Sequence, residues 1–287
     1  MQLPGYTLHT STDSVFFSRA LNLILSVKFN SPSVVQIIVN DIGMSKFQLL
    51  ILKKIRGVVI NTIPHFNANW KDCFSWKIYA HCKSDEPIYF HLDAGNIVLK
   101  DLGGVYKTIE KDGYFFIDQG QVLKNILSKE LVAVLENQSN IYCPVFAAGN
   151  IGMDKRNESI ERALKQSYDL MVKGYNLGFS KCESSRDLTS VGIYHDVELF
   201  RHDQSVMNAA FYNNFSNIGM HKHEKYAAIK ASNDVVTYNK RGLDYSYIGC
   251  LKFGLFLLPY LLFVDAYFKI KINCIKFIKL LKGKFNK

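Results

Sequence analysis

The residues whose types and spacing suit chemistry best lie in one stretch, Tyr89-Phe90-His91-Leu92-Asp93-Ala94-Gly95-Asn96-Ile97-Val98-Leu99. An apolar run meets a single aspartate, turns on a small residue and a glycine, and resumes as apolar chain. A buried parallel strand delivers a carboxylate in this way to the rim of an open sheet, where α/β folds bind ligands. A charged carboxylate needs a cation or hydroxyls beside it, so Asp93 is expected at the strand's carboxyl end. Gly95 lets the backbone turn tightly and a ligand come close. The same pattern also fits a plain strand and turn that Asp93 merely starts. A second charged cluster, Arg201-His202-Asp203-Gln204-Ser205, opens a helical pattern, and there Asp203 suits a helix cap. With His195-Asp196 it also spells two His-Asp dipeptides, the mark of metal phosphohydrolases. Lacking helical partners upstream, the dipeptides support that reading weakly.

The elements that must position these groups read as alternating strands and helices. Tyr6-Thr7-Leu8-His9-Thr10 suits a strand, Ser11-Thr12-Asp13-Ser14 turn and cap chemistry, and residues 15–27 a helix with Phe16, Leu21, Leu23 and Ile24 at helical spacing. Residues 34–39 form a second strand ending at Asn40-Asp41, Ser45 caps a helix to about Lys54, and residues 58–60 make a third strand. This order predicts a mainly parallel sheet, whose right-handed crossovers put Thr10, Asp13 and Asp41 on the rim with Asp93. Residues 76–80 read as the helix feeding the Asp93 strand and 123–135 as another helix. Residues 144–152 read as a short strand breaking into a glycine loop, and 158–173 as a helix. Residues 179–198 are polar and turn-rich.

With 287 residues, 48% hydrophobic and 21% charged, the chain suits one sizeable core with an appendage and excludes general disorder. Residues 252–287 carry eight lysines against Asp265, and so contribute seven of the ten net positive charges. Basic character concentrated in a tail argues against a nucleic-acid groove. The six cysteines form no Cys-x-x-Cys pair, which disfavours a zinc knuckle or dense disulfides. The first thirty residues lack a charged region followed by an apolar core, so we expect no signal peptide and a cytoplasmic catalytic body.

Five segments in order carry a resemblance: Thr10-Ser11-Thr12-Asp13; Val39-Asn40-Asp41-Ile42-Gly43-Met44-Ser45; Trp76-Lys77 ahead of Leu92-Asp93-Ala94-Gly95; Ala148-Gly149-Asn150; and Arg201-His202-Asp203-Gln204-Ser205. Together they resemble bacterial glycosyltransferases of the GT-A fold, close to the family 8-like and the capsular or lipopolysaccharide sugar transferases. The resemblance implies an α/β nucleotide-sugar-binding fold over residues 1–241. It implies a donor, by expectation a UDP-sugar, held by Thr10, Ser11, Asp13, Asp41, Lys77, Asp93, Ala94 and Gly95. Gly149, Asn150 and His202 fall on the acceptor side. Asp203 and Gln204 fall at the reacting carbon, Asp203 as proton acceptor in an inverting reaction or Gln204 near the anomeric carbon in a retaining one. It also implies manganese or magnesium on Asp93, which would neutralise the departing diphosphate. The sequence departs from the family at Gly95, where the second aspartate of the signature stands. The metal would then be bound weakly, be held in part by Asn96 or by His221 or His223, or be absent, and the two histidines suit exposed positions in a basic polar turn better than a metal site.

In the tail, residues 253–264 are an unbroken apolar run of 12 residues, shorter than a membrane span of about 20 and interrupted by Pro259. A lysine-rich amphipathic stretch follows, over 265–281. Residues 242–287 therefore read as a helical adapter for an anionic membrane surface, worth roughly 1 kcal/mol per lysine. A helix docked on its own domain is the alternative. The sequence thus points to a peripheral membrane transferase adding a hexose-type sugar to a glycan or lipid-linked acceptor. The other class that fits is a non-catalytic sugar-nucleotide-binding protein with a degraded metal site.

Overall fold

Alternating apolar strands and capped helices build the first half of the molecule. Strand β1 (Tyr6–Thr12), helix α1 (Phe17–Asn30), strand β2 (Val34–Asp41), helix α2 (Lys46–Lys53) and strand β3 (Val58–Thr62) follow in the expected order. Ser45 and Gln48 close a reciprocal capping box that starts α2, satisfying two amides that the helix leaves open. Helix α3 (Ser75–Cys82) leads into β4 (Ile88–Leu92), and the chain turns at Asp93 into the short β5 (Asn96–Val98). The second half contains α4 (Gly103–Asp112), β6 (Tyr114–Phe115), β7 (Asp118–Val122), α5 (Lys129–Val134), β8 (Pro144–Phe146), β9 (Asn150–Asp154), α6 (Glu158–Val172), α7 (Asp203–Asn214), α8 (His223–Tyr226) and β10 (Thr237–Asn239). The computed structural model describes residues 5–65, 70–71, 73–177 and 200–239, with Pro259, Tyr260, Leu262, Phe263, Ala266, Tyr267, Ile270 and Cys274 of the tail. His195-Asp196, the boundary at 241/242 and most of the amphipathic stretch lie outside these residues.

The central sheet has six strands in the order β3-β2-β1-β4-β9-β6. Its first four strands run parallel, while β9 runs antiparallel between β4 and β6. The fold is therefore mixed α/β with a mainly parallel sheet. Neighbouring side chains of β4 enter different cores, because successive residues face opposite sides of a strand. Phe90 and Leu92 pack with Leu8, Leu21, Ile37 and Tyr106, and Tyr89 packs with Ile151, Met153, Leu164 and Phe211. Burial on both faces explains why β4 reads as a continuous apolar run.

Two expectations are corrected in the second half. The helix predicted over 123–135 is broken into a 3-10 turn at Leu123–Asn125 and the separate α5. Ile126 and Leu127 dive fully into the core, and Ser128 restarts the helix by accepting the Leu131 N–H. The loop expected near 147–152 is only a turn, after which β9 re-enters the sheet. Gly152 hides this strand from propensity but is required there, since a Cβ would lie 2.5 Å from Ile109 and 2.8 Å from Phe115.

Tail residues Pro259 to Cys274 that are described are helical. Tyr260 sets its ring edge against Phe47 of α2 at 4.9 Å, whereas Leu262, Phe263, Tyr267 and Ile270 are exposed. Among the described residues, no helix is long and apolar enough to cross a membrane.

Candidate active site

The carboxyl ends of β1 and β4 and the start of α3 enclose a cleft of about 460 Å³, lined by Ser11, Asp13, Lys71, Lys77, Asp93, Asn239 and their neighbours. After β1 the chain turns on Asp13, whose Oδ1 accepts the N–H groups of Val15 and Phe16, both at 2.9 Å. This holds the head of α1, and Oδ2 of the same carboxylate pairs with Lys71 at 2.8 Å. After β4 the Asp93 amide donates to the Gly149 carbonyl at 2.8 Å, locking the turn against the start of β9. Gly149 leaves the carboxylate its place, because a Cβ there would stand 2.7 Å from Asp93 Oδ2 and displace it. A residue assigned by resemblance to the acceptor side therefore packs directly on the donor-side carboxylate.

Lys77 joins two parts of the site. Its buried ammonium lies 3.0 Å from Asp93 Oδ1 and 3.4 Å from Asp203 Oδ2. Lys77 is in the first turn of α3 and Asp203 is the first residue of α7, so two helix N-termini converge on the pair. The residues before these helices, Phe74 (φ 54°) and His202 (φ 42°), are the only described non-glycine residues with positive φ. Such backbone costs about 1–3 kcal/mol per residue and persists only where its surroundings fix it. Buried Asn176 supplies that fixation: its side-chain Nδ2 donates to Cys73 O at 3.0 Å and Ser75 Oγ at 2.8 Å, and its backbone carbonyl accepts His202 Nδ1–H at 2.7 Å. Through its side chain and its backbone carbonyl, this one residue ties the start of α3 to the head of α7.

His91 faces the same side of β4 as Asp93, and its Nε2 lies 3.2 Å from Asp93 Oδ1. Burial lowers the His91 pKa even though Asp93 opposes the shift, so a neutral imidazole donates this bond. Burial alone would raise Asp93, but Lys77 and the His91 hydrogen bond outweigh it and hold the carboxyl well below the usual range. At Asp203 burial prevails over Lys77 and the pKa rises. Burial lowers the Lys77 pKa, yet the two carboxylates more than compensate and keep the ammonium charged.

The other expected site residues divide into two groups. Ser11, Asp13, Lys77, Asp93, Ala94 and Gly95 meet in the cleft. Thr10 is fully buried in β1, and the Asp41 carboxylate accepts the amides of Gly43 and Met44 at 2.9 and 2.7 Å, closing its own turn; neither is among the described residues lining the cleft. Gln204 Nε2 donates to the Phe146 carbonyl at 2.8 Å, fastening α7 to β8. Asn150 bonds Tyr226 O at 2.7 Å and Asn96 Oδ1 at 3.4 Å, a structural tie between β9 and β5. Asn96 Nδ2 donates to the Asp93 carbonyl at 3.0 Å rather than reaching its carboxylate. His221 stacks on Phe115 at 4.3 Å, and neither it nor His223 lines the cleft. Sequence reasoning missed Lys71, Arg19, His91 and Asn239. Of these, His91 alone carried a signal, being a histidine two residues before the aspartate on a strand.

The described residues do not form the carboxylate and imidazole set that a divalent metal on Asp93 would take. No three His, Cys, Asp or Glu side chains among them are grouped to hold an ion. A Cβ on Gly95 would meet Asn239 Oδ1 at 3.2 Å, so a neutral amide faces the place of the missing carboxylate. Asp93 Oδ1 is already shared by Lys77 and His91.

No protein-family model matches the chain, and no curated protein matches it in sequence. Solved structures do resemble it. The bifunctional glycosyltransferase WbbM, in its apo form, gives a TM-score of 0.52 at 11% identity, over 83% of this chain and 46% of its own. The chain thus spans about half the length of WbbM. The galactosyltransferase LgtC, in complex with donor and acceptor sugar analogues, gives 0.51 at 14% identity, over 82% of this chain and 87% of that one. An active-site variant of LgtC gives 0.52 at 13% identity over the same shares. Identities this low establish the architecture alone, and the architecture is that of GT-A-type glycosyltransferases, a mixed α/β fold with a mainly parallel central sheet.

Proposed function

We propose that this protein is a sugar transferase that takes a hexose-type sugar from a nucleotide-sugar donor, by preference a UDP-sugar, and passes it to a glycan or lipid-linked acceptor of the lipopolysaccharide or capsule type. The observation that carries this reading is the cleft at the strand ends, where Lys77 couples Asp93 on the rim to Asp203 at the head of α7. In this reading Ser11 and Asp13 flank the nucleotide, and Asp93 and Lys77 meet the diphosphate and the sugar. Asp203 takes the acceptor proton if the reaction inverts, a task that its raised pKa favours. Gln204 lies by the anomeric carbon if the reaction retains.

The test is release of nucleoside diphosphate from a panel of sugar nucleotides. Wild type should turn over at least one of them, and Asp93→Asn, with its fold confirmed, should lose about a hundredfold or more. Binding without turnover in any pair of donor and acceptor would instead favour the non-catalytic reading.

The tail completes the proposal as a peripheral anchor on the cytoplasmic face of the membrane, where a lipid-linked acceptor lies. Its exposed Leu262, Phe263, Tyr267 and Ile270 and its lysines support this assignment. Full-length protein should sediment with vesicles containing anionic lipid and lose much of that binding as salt rises. Indifference to vesicles, with aggregation of a chain ending near Arg241, would support docking of the tail on its own domain.

A further inference from the structure

We infer that the donor diphosphate is held by side-chain cations, Lys77 and Lys71, and not through a divalent metal. The inference rests on the cleft being the nucleotide-sugar site. A diphosphate needs positive charge in fixed positions, and two kinds of group supply it: a metal in an oxygen cage, or Lys and Arg side chains. Here the cage lacks its second carboxylate. Gly95 stands where a second carboxylate would be, and the atom facing that place is the Asn239 amide oxygen, 3.2 Å from where a Cβ would start. The cation is in place instead. Lys77 is buried, with its ammonium 3.0 Å from Asp93 Oδ1, the oxygen that His91 also reaches. A metal on that oxygen would sit beside the like charge of the Lys77 ammonium.

Lys77 is also built to stay. Its backbone amide bonds the Phe74 carbonyl at 2.9 Å, and Asp203 holds its ammonium from the far side at 3.4 Å. Lys71 stands at the mouth of the same cleft, half-exposed and paired with Asp13. Arg19 lines the cleft as a third cation. These groups suit the step itself. The bond between the anomeric carbon and the phosphate oxygen breaks with its electrons on the diphosphate. The acceptor oxygen bonds that carbon, and its proton passes to Asp203 if the reaction inverts and otherwise leaves with the products to water. The diphosphate gains one negative charge, and Lys77, protonated throughout, lies where that charge develops. Nothing is oxidised or reduced.

The experiment is calorimetric titration of the full chain with the diphosphates of uridine, guanosine, cytidine, thymidine and adenosine, once in EDTA and once in excess manganese chloride. The expected result is that at least one diphosphate binds in EDTA and that manganese changes its Kd by less than about threefold. Lys71→Met, at the half-exposed mouth of the cleft, should then weaken binding in EDTA by roughly tenfold, and Lys77→Met by tenfold to a hundredfold, as loss of a charge-assisted contact predicts. The wild-type comparison needs no variant, so a poorly folded Lys77→Met would not blunt it. Binding that appears only with manganese and vanishes in Asp93→Asn would overturn the inference while leaving the site reading intact. Binding of no diphosphate in either condition would overturn both.

Discussion

The rim of β4 and the head of α7 each present one carboxylate to the same ammonium, yet the two groups behave in opposite ways. The Asp93 side chain is 41% exposed and Asp203 only 7%. Lys77 and His91 together overcome burial at Asp93 and push its pKa down, whereas at Asp203 burial wins and the pKa rises. Contact with a cation therefore does not fix a carboxylate's character; the number of donors and the access to water decide it. The rim group is a permanent charge open to a ligand, and the helix-head group is a buried carboxylate poised nearer to proton exchange.

Removing the shared cation should have the largest effect. Lys77→Met should lower transfer by about a hundredfold to a thousandfold, and it should lower Tm as well, because Asp203 would be left buried and unpaired, a loss of roughly 3–5 kcal/mol. Wild-type thermal stability in that variant would mean that Asp203 is neutral already. Separating the two carboxylates comes next. Asp203→Asn should reduce kcat about a hundredfold while leaving nucleoside diphosphate affinity within about threefold; Asp93→Asn should weaken both. Equal effects at the two sites would erase the distinction between them. A smaller change is expected from Gly149→Ala, whose Cβ meets Asp93 Oδ2 at 2.7 Å. Pushing that carboxylate off Lys77 should cost about tenfold in transfer, consistent with the sensitivity of such sites to displacements near 1 Å. Unchanged kinetics there would show that Asp93 has room to move.

The smallest effect concerns pH and lies behind the rim. Burial pushes His9 down to about 3, and His81 also well below its ordinary value. The unfolded chain takes up protons below about pH 6.5 that these folded imidazoles refuse. Stability should therefore fall as pH drops from 6.5 toward 3, by about 1.4 kcal/mol per pH unit for each histidine. The contribution of Asp93 has the same sign but is lost only below the usual carboxylate range, so the two windows separate. His9→Phe keeps the ring stacked on Tyr89, now 4.4 Å away, and should flatten the slope of Tm between pH 6.5 and 5 by one histidine's share. A slope identical to wild type would assign the acid sensitivity elsewhere.

The difference between the halves of the sheet explains what was legible in the sequence. From β1 to β4 the strands close on polar turn residues and α2 carries a local start signal at Ser45, so order, direction and the rim position of Asp93 follow from short segments. In the second half the deciding contacts are distant. Gly152 looks like a strand breaker until Ile109 and Phe115 are seen to leave no space for a side chain. Helix α4 begins with Gly103-Gly104, a pair that weakens its helical pattern although Asp101 accepts the Gly103 N–H. The site divides in the same way. Asp93 and Lys77 lie in recognisable segments, but that one ammonium meets both Asp93 and Asp203 depends on Asn176, a residue about a hundred positions from the α3 backbone it fastens. Asp41 and Asn150 sit in segments of the right kind but point into local hydrogen bonds, which spacing alone does not reveal.

The most direct measurement is a crystal structure of the full chain soaked with a nucleoside diphosphate from the titration panel. The account predicts density in the cleft between β1 and α3, with the diphosphate within hydrogen-bond distance of Lys77 Nζ and the base toward Ser11 and Asp13. Density in the groove between Lys83, Lys155 and Arg162 on the α6 side instead, or an empty cleft at millimolar ligand, would contradict it.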